Sequence, residues 1–229
     1  MSEPQPVAFD DPGYRAAVVD LLGAVAYGEL SAFERLAEDA RLAPTLTDKV
    51  ALGKMAAVQF AHVEPLLDRI EALGVLPVAA MEPFRRAFDV FHAETAPSDW
   101  LEGLVKAYVG DGLAADFYRE IAAFLDAGTR ELIVESLADA GHADFVVDRV
   151  RRAIEEDPRI AGRLALWGRR LMGEALSQAQ RVAAERDSLA ALLAGGVDRP
   201  GMDLAALGRV FTRITENHAR RMAELGLAP

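Results

Sequence analysis

The sequence predicts an all-α protein, a four-helix bundle with a crossover segment and two extra C-terminal helices. Three observations carry this. Apolar residues recur at steps of three and four, the helical period, and β-branched alternation is scarce. Ala, Leu, Glu and Arg, all good helix formers save for their caps, dominate the composition. Two helical segments also repeat 80 positions apart. A repeat of that length makes two helical hairpins, and two packed hairpins form a four-helix bundle.

The elements follow in order. The first helix is predicted over about 12–41. The second covers about 47–73 and stops at Gly74, with Pro77 beyond it. A crossover, 74–98, holds a shorter helix over about 82–94. Ala96-Pro97-Ser98 then breaks the chain, and Ser98 is the expected N-cap of a third bundle helix over 99–125. Thr129 is the expected cap of the fourth, 129–156, which ends before Pro158. The C-terminal helices cover 159–193 and 203–225, joined by a Gly- and Pro-containing loop. No Ser- or Gly-rich linker appears, so residues 1–229 read as one domain.

Composition excludes several classes. With 52% hydrophobic residues among 229, the chain has ample material for a core and is not a disordered polymer. Absence of Cys removes disulfides, thiolate metal sites and a cysteine nucleophile. The first six residues are acidic and Pro-containing and lack the cationic-then-apolar pattern of a signal peptide. No uncharged apolar stretch reaches the roughly 18 residues of a membrane span, so a cytoplasmic location without membrane association is expected. The net charge of −11 argues against general polyanion binding, and no DNA-binding motif is present. The charge is uneven. Residues 1–145 hold 11 basic and 25 acidic side chains, a net of −14, and 146–229 hold 14 Arg and 11 acids, a net of +3. The Arg-rich end (Arg151, Arg152, Arg163, Arg169, Arg170, Arg181, Arg213, Arg220, Arg221) leaves RNA open as a partner.

The repeat pairs Gln59-Phe-Ala-His62-Val-Glu64-Pro-Leu-Leu-Asp68-Arg69-Ile70 with Asp139-Ala-Gly-His142-Ala-Asp144-Phe-Val-Val-Asp148-Arg149-Val150. Each bundle helix carries a polar intruder on its apolar seam. Glu29 lies among Leu22, Ala26, Phe33 and Leu36, and Gln59 and His62 lie among Leu52, Met55 and Leu66. Asp116 follows Val105, Val109 and Gly112, while Asp139 and His142 share a face with Leu132, Glu135 and Val146. Buried carboxylates are costly unless paired or bound to a cation. One acid from each of two helices, with a carboxylate-x-x-His on each of the other two, is the ligand set of ferritin-like dinuclear metal bundles. Such donors suit iron or manganese. The candidate metal ligands are therefore Glu29, Gln59, His62, Asp116, Asp139 and His142, with Glu120 and Glu135 as neighbours that compete for the same places. His92 and His218 read as surface or packing residues, Tyr27 as a core residue near Glu29, and the Asp-Arg pairs as inter-helix salt bridges.

In ligand order these residues resemble the tRNA hydroxylase (MiaE-like) group of ferritin-like proteins. Ala26–Phe33, Ala96–Tyr108 and Trp167–Ala179 resemble its actinobacterial branch. The resemblance implies a ferritin-like four-helix bundle with a non-haem di-iron cofactor (manganese second) and O₂ as co-substrate. It implies hydroxylation of a small hydrophobic or tRNA-borne group, and a homo-oligomer is compatible with it. The family pattern has Glu at 59, where this chain has Gln59, leaving Glu29, Asp116 and Asp139 as carboxylates. The alternative is therefore a ferritin-like scaffold without catalysis that binds a partner or a single metal. Iron storage ranks last.

Overall fold

The computed structural model describes residues 11–137, 142–194 and 204–229. Among the described residues every regular element is a helix. Helix α1 (Pro12–Asp39) begins with Asp11 as N-cap and Pro12 in its first turn, and runs into a short 3₁₀ turn, Ala40–Leu42. The second expected helix is divided into α2 (Leu46–Ala61) and α3 (Val63–Ala72), with the break at His62. Pro65 is the cause: it has no N–H to give to Ala61, and its ring crowds that carbonyl. Gly74 ends α3 at a φ of 72°. The amide of Val75 donates to Ile70 O at 3.3 Å and that of Gly74 to Glu71 O at 2.7 Å, the paired bonds of a Schellman cap.

The crossover helix α4 (Pro77–Glu94) starts five residues earlier than expected, because Pro77 takes the first helical position and Pro83 is accommodated further along. Helix α5 (Trp100–Ala122) is capped by Asp99, whose carboxylate accepts from Glu102 N at 2.9 Å. Ser98, the expected cap, instead donates its amide and hydroxyl to Glu102 Oε2 at 2.8 and 2.6 Å. The fourth helix is again two, α6 (Ala127–Ser136) and α7 (His142–Glu156). Its cap is Asp126, which accepts from Thr129 N; Thr129 occupies the third helical position. The long C-terminal helix is divided at Arg186 into α8 (Ile160–Glu185) and α9 (Asp187–Ala194). Turning there lets Arg186 and Ser188 both reach the buried Asp20 carboxylate. Helix α10 (Leu204–Glu224) closes the chain.

Helix α1 is central, packing on α2, α3, α4, α5 and α9. Helix α5 is its counterpart in the second hairpin and packs on α6, α7, α8 and α10. This position explains the composition of α1. Among the described residues, Pro12–Leu42 is the one helix long and apolar enough to cross a membrane, and 61% of its apolar window is buried within the protein. Two apolar clusters result. One gathers residues of α2, α5, α7, α8 and α10 around Leu52, Val109 and Leu171. The other gathers α1, α3, α4, α6 and α9 around Leu22, Ile70 and Phe84.

The repeat has a structural counterpart. Arg69 of α3 donates to Thr129 Oγ1 at 3.3 Å, and Arg149 of α7 donates to Asp48 Oδ1 at 2.8 Å. Thr129 and Asp48 are both buried, and both stand third in the first turn of the other hairpin's second helix. The two hairpins thus clasp each other reciprocally. The caps mirror too: Thr45 caps α2 with Asp48 at the third position, and Asp126 caps α6 with Thr129 there. Asp148, by contrast, pairs within its own helix with Arg152 at 2.9 Å.

Close approach of α1 and α4 depends on Gly23, since a Cβ there would overlap the Ala80 carbonyl. Gly23→Ala should destabilise the protein by about 2 kcal/mol or more, because backbone must move to admit the methyl. Gly53, with nothing within 4 Å of the equivalent position, is the control. Gly53→Ala should stabilise by about 0.5–1 kcal/mol through helix propensity. Urea unfolding midpoints of the two variants would check both signs.

Candidate functional site

The site lies at mid-length of the bundle, where polar residues interrupt the seams. Glu29 is 5% exposed on α1. Gln59, in the last turn of α2, donates its amide to Glu29 Oε2 at 2.5 Å. His62 Nδ1 stands 3.5 Å from the same oxygen, without hydrogen-bond geometry. The break at His62 turns the imidazole toward α1. Burial pushes the Glu29 carboxyl above its usual range, and the neighbouring His62 partly counters this. Three of the expected residues are therefore together.

Asp116 is engaged elsewhere. Its carboxylate accepts from Arg221 Nη2 at 2.6 Å and from Asn217 Nδ2 at 3.1 Å, both on α10. Glu120, its competitor, is paired with Arg213 of α10 at 2.6 Å. Glu135 is exposed on α6. Asp139 and the side chain of His142 lie outside the described residues. Tyr27 does not approach Glu29; its hydroxyl donates to Asp89 on α4 at 3.0 Å and is pushed up to about 12, chiefly by burial.

These donors can be tested against a dinuclear metal centre. Among the described residues, no group of three or more His, Asp or Glu converges on one point. The Gln59 amide brings no charge, and the guanidinium of Arg221 occupies the place a cation would take beside Asp116. Of the six expected ligands the side chains of four are described, and among these only Glu29 and His62 stand together as a carboxylate and an imidazole; these four alone do not fit two divalent ions.

A cavity of about 1000 Å³ opens beside this triad. Its wall includes Glu29, Gln59 and His62, and draws on both apolar clusters through Leu21, Met55, Phe84 and Val146. Five of its other polar residues form a second group that the helical period did not reveal as functional. Ser31, Arg35 and Asp39 follow one another at steps of four along α1 and face His92 of α4 and Lys106 of α5. The steps of four were the available signal; Lys106 gave none, because it follows Glu102 by four and reads as half of a surface pair. His92 is half-buried and lines the cavity, with its Nε2 3.3 Å from Ser31 Oγ. Its imidazole is pushed down to about 3 by burial and by the charges of Lys106 and Arg35. Lys106 is 5% exposed, donates to Thr95 O at 2.7 Å and lies over the Phe91 ring. Burial brings its amine down to about 8, against the opposing pull of Asp39.

A lysine whose folded pKa is depressed lowers stability wherever both states are protonated. Between pH 8 and 10.5 the unfolded chain binds more protons at this residue, so stability rises with pH. Relative to Lys106→Met, the parent protein should gain up to about 3 kcal/mol over that window. Urea unfolding of both proteins at pH 7.5 and pH 10 would measure the difference, and a constant gap would contradict a strained amine.

Comparison with known proteins adds the family. None of the curated proteins matches the chain. A family model described as a ferritin-like domain of actinomycetes matches residues 12–196, which takes in α1 to α9 and leaves α10 outside. The packing of the two hairpins and this match agree: the chain belongs to the actinomycete ferritin-like domain family.

Proposed function

We propose that this protein is a ferritin-like bundle that binds an apolar small molecule inside the helices, without a dinuclear metal centre. The observation that carries this reading is the cavity of about 1000 Å³, apolar over most of its wall, with the Glu29–Gln59–His62 triad and the group around His92 among its polar residues. Its size and lining are those of ligand pockets, where a few placed polar atoms orient an otherwise apolar guest. The Glu29 carboxylate accepts from the Gln59 amide, a donor of the protein itself, as a scaffold of this kind requires. A neutral hydrophobic fluorophore such as N-phenyl-1-naphthylamine should bind the native protein saturably. Ala32→Phe, which fills part of the cavity wall, should weaken binding at least about ten-fold, since a displaced apolar contact of this size is worth more than 1.4 kcal/mol. Equal affinity in both proteins would sink the reading.

A second reading has its own support. The family fold, and the proximity of Glu29 and His62 on adjacent helices, favour a metal protein of the MiaE-like kind. In that reading iron, or manganese, is held by Glu29 and His62 with Asp139 and His142, and O₂ and a hydrophobic or tRNA-borne group are the substrates. Such a metal pair would supply O₂ reduction; the chain's own part would be to seat the guest in the cavity and exclude water. Anaerobic Fe(II) loading separates the readings. The first expects less than one iron per chain and no new absorption on admitting air, whereas two irons and a visible band would replace it. Gln59→Glu adds a carboxylate beside Glu29 and should make thermal stability more dependent on added Fe(II) or Mn(II) than in the parent.

A further inference from the structure

The following rests on the cavity reading and names the class of guest. Several residues that line the cavity each carry a buried polar atom without a protein partner, among them Arg35 with its Nε and His92 with its Nδ1. The hydrogen-bonding role of each is fixed by chemistry. An arginine Nε always carries a hydrogen, so it is a donor. For His92 the role follows from Ser31. That hydroxyl has one hydrogen, which it donates to Gly28 O at 3.0 Å. At its 3.3 Å contact with His92 Nε2, Ser31 therefore accepts and the ring donates. With Nε2 carrying the hydrogen of a neutral imidazole, Nδ1 is left as an acceptor. Burial and the nearby cations hold the ring in that neutral form.

The surrounding charges are already matched. Arg35 pairs with Glu38 at 2.7 Å, and Lys106 is opposed by Asp39. A charged head group would find no unmatched partner here, and its desolvation would go uncompensated. Phe84, Phe88 and Phe91 line the cavity along one face of α4, next to His92. The geometry points to a neutral, hydroxyl-bearing apolar molecule as the guest. Its O–H donates to His92 Nδ1, its oxygen accepts from Arg35 Nε, and its hydrocarbon lies along the three phenylalanines.

The test compares three probes of equal chain length on the full protein below their micellar concentrations: 1-decanol, decanoate and decylammonium. Calorimetric titration should give decanol an affinity at least about ten-fold above either ion, the worth of about one buried hydrogen bond. His92→Phe should lower the decanol affinity about ten-fold, and His92→Gln, which keeps an acceptor, should retain most of it. Binding of either ion as tightly as the alcohol overturns the proposal, as does an unchanged decanol affinity in His92→Phe. The probe comparison uses the parent protein alone, so it stands whatever the variants' stability. Binding of all three probes alike leaves the cavity reading intact and removes the hydroxyl preference. Failure of all three to bind sinks both.

Discussion

The structure depends on one constraint: acids placed inside a helical bundle must be met by donors of the protein itself. Asp20, Asp48, Glu102 and Asp116 are each less than 9% exposed, and each is reached by an arginine from elsewhere in the chain. An unpaired buried carboxylate would cost several kcal/mol, comparable with much of a domain's whole stability. The pairs therefore specify geometry as well as neutralise charge. Removing one partner strands the other, although replacing both by apolar groups of like shape would cost far less.

This constraint explains the uneven charge of the sequence. In all four pairs the acid lies before residue 145 and the arginine after it: Asp48 with Arg149, Glu102 with Arg163, Asp20 with Arg186, and Asp116 with Arg221. Glu120 with Arg213 is a fifth, more exposed case. The excess of acid in one part and of base in the other is thus the imprint of long-range packing. It also bears on nucleic acid. Arg151 and Arg170 donate to backbone carbonyls at helix ends, Arg169 donates to those of Ala228 and Pro229, and Arg152, Arg163, Arg213 and Arg221 are in ion pairs. Most of the basic character that suggested RNA is engaged inside the molecule, and a partner would have to compete for it.

How much was legible depended on the range of the interaction. The seams followed the 3.6 period, so the burial of Leu22, Glu29, Leu52 and Leu66 could be read directly, as could the Gly74 cap. Glu29, Gln59 and His62 came together because adjacent antiparallel helices place mid-seam residues opposite one another. The caps were misplaced by one turn or less. Ser98 and Asp99 both accept amides well, and in Asp126-x-x-Thr129 either residue type can hold either end of the cap. The division at His62 had its signal in Pro65. The partners of Asp116 had none, for Asn217 and Arg221 lie about a hundred positions away on a helix outside the repeat. The hydroxyl-facing group around His92 was hidden for the same reason, being assembled from α1, α4 and α5.

The two departures from a dinuclear ligand set have one physical effect. At Glu29 a carboxylate partner is replaced by an amide that donates at 2.5 Å. At Asp116 a guanidinium and an amide donate at 2.6 and 3.1 Å. In each place, positive charge or N–H stands where a metal would otherwise satisfy the acid. A bundle whose acids needed a cation would be least stable when metal-free, because like charges would face each other in an apolar setting. Here the described acids are satisfied by α2 and α10, so this half of the bundle can close without metal. The cavity beside Glu29 is then bounded by acids that already have donors of the protein itself, within a wall that is mostly apolar.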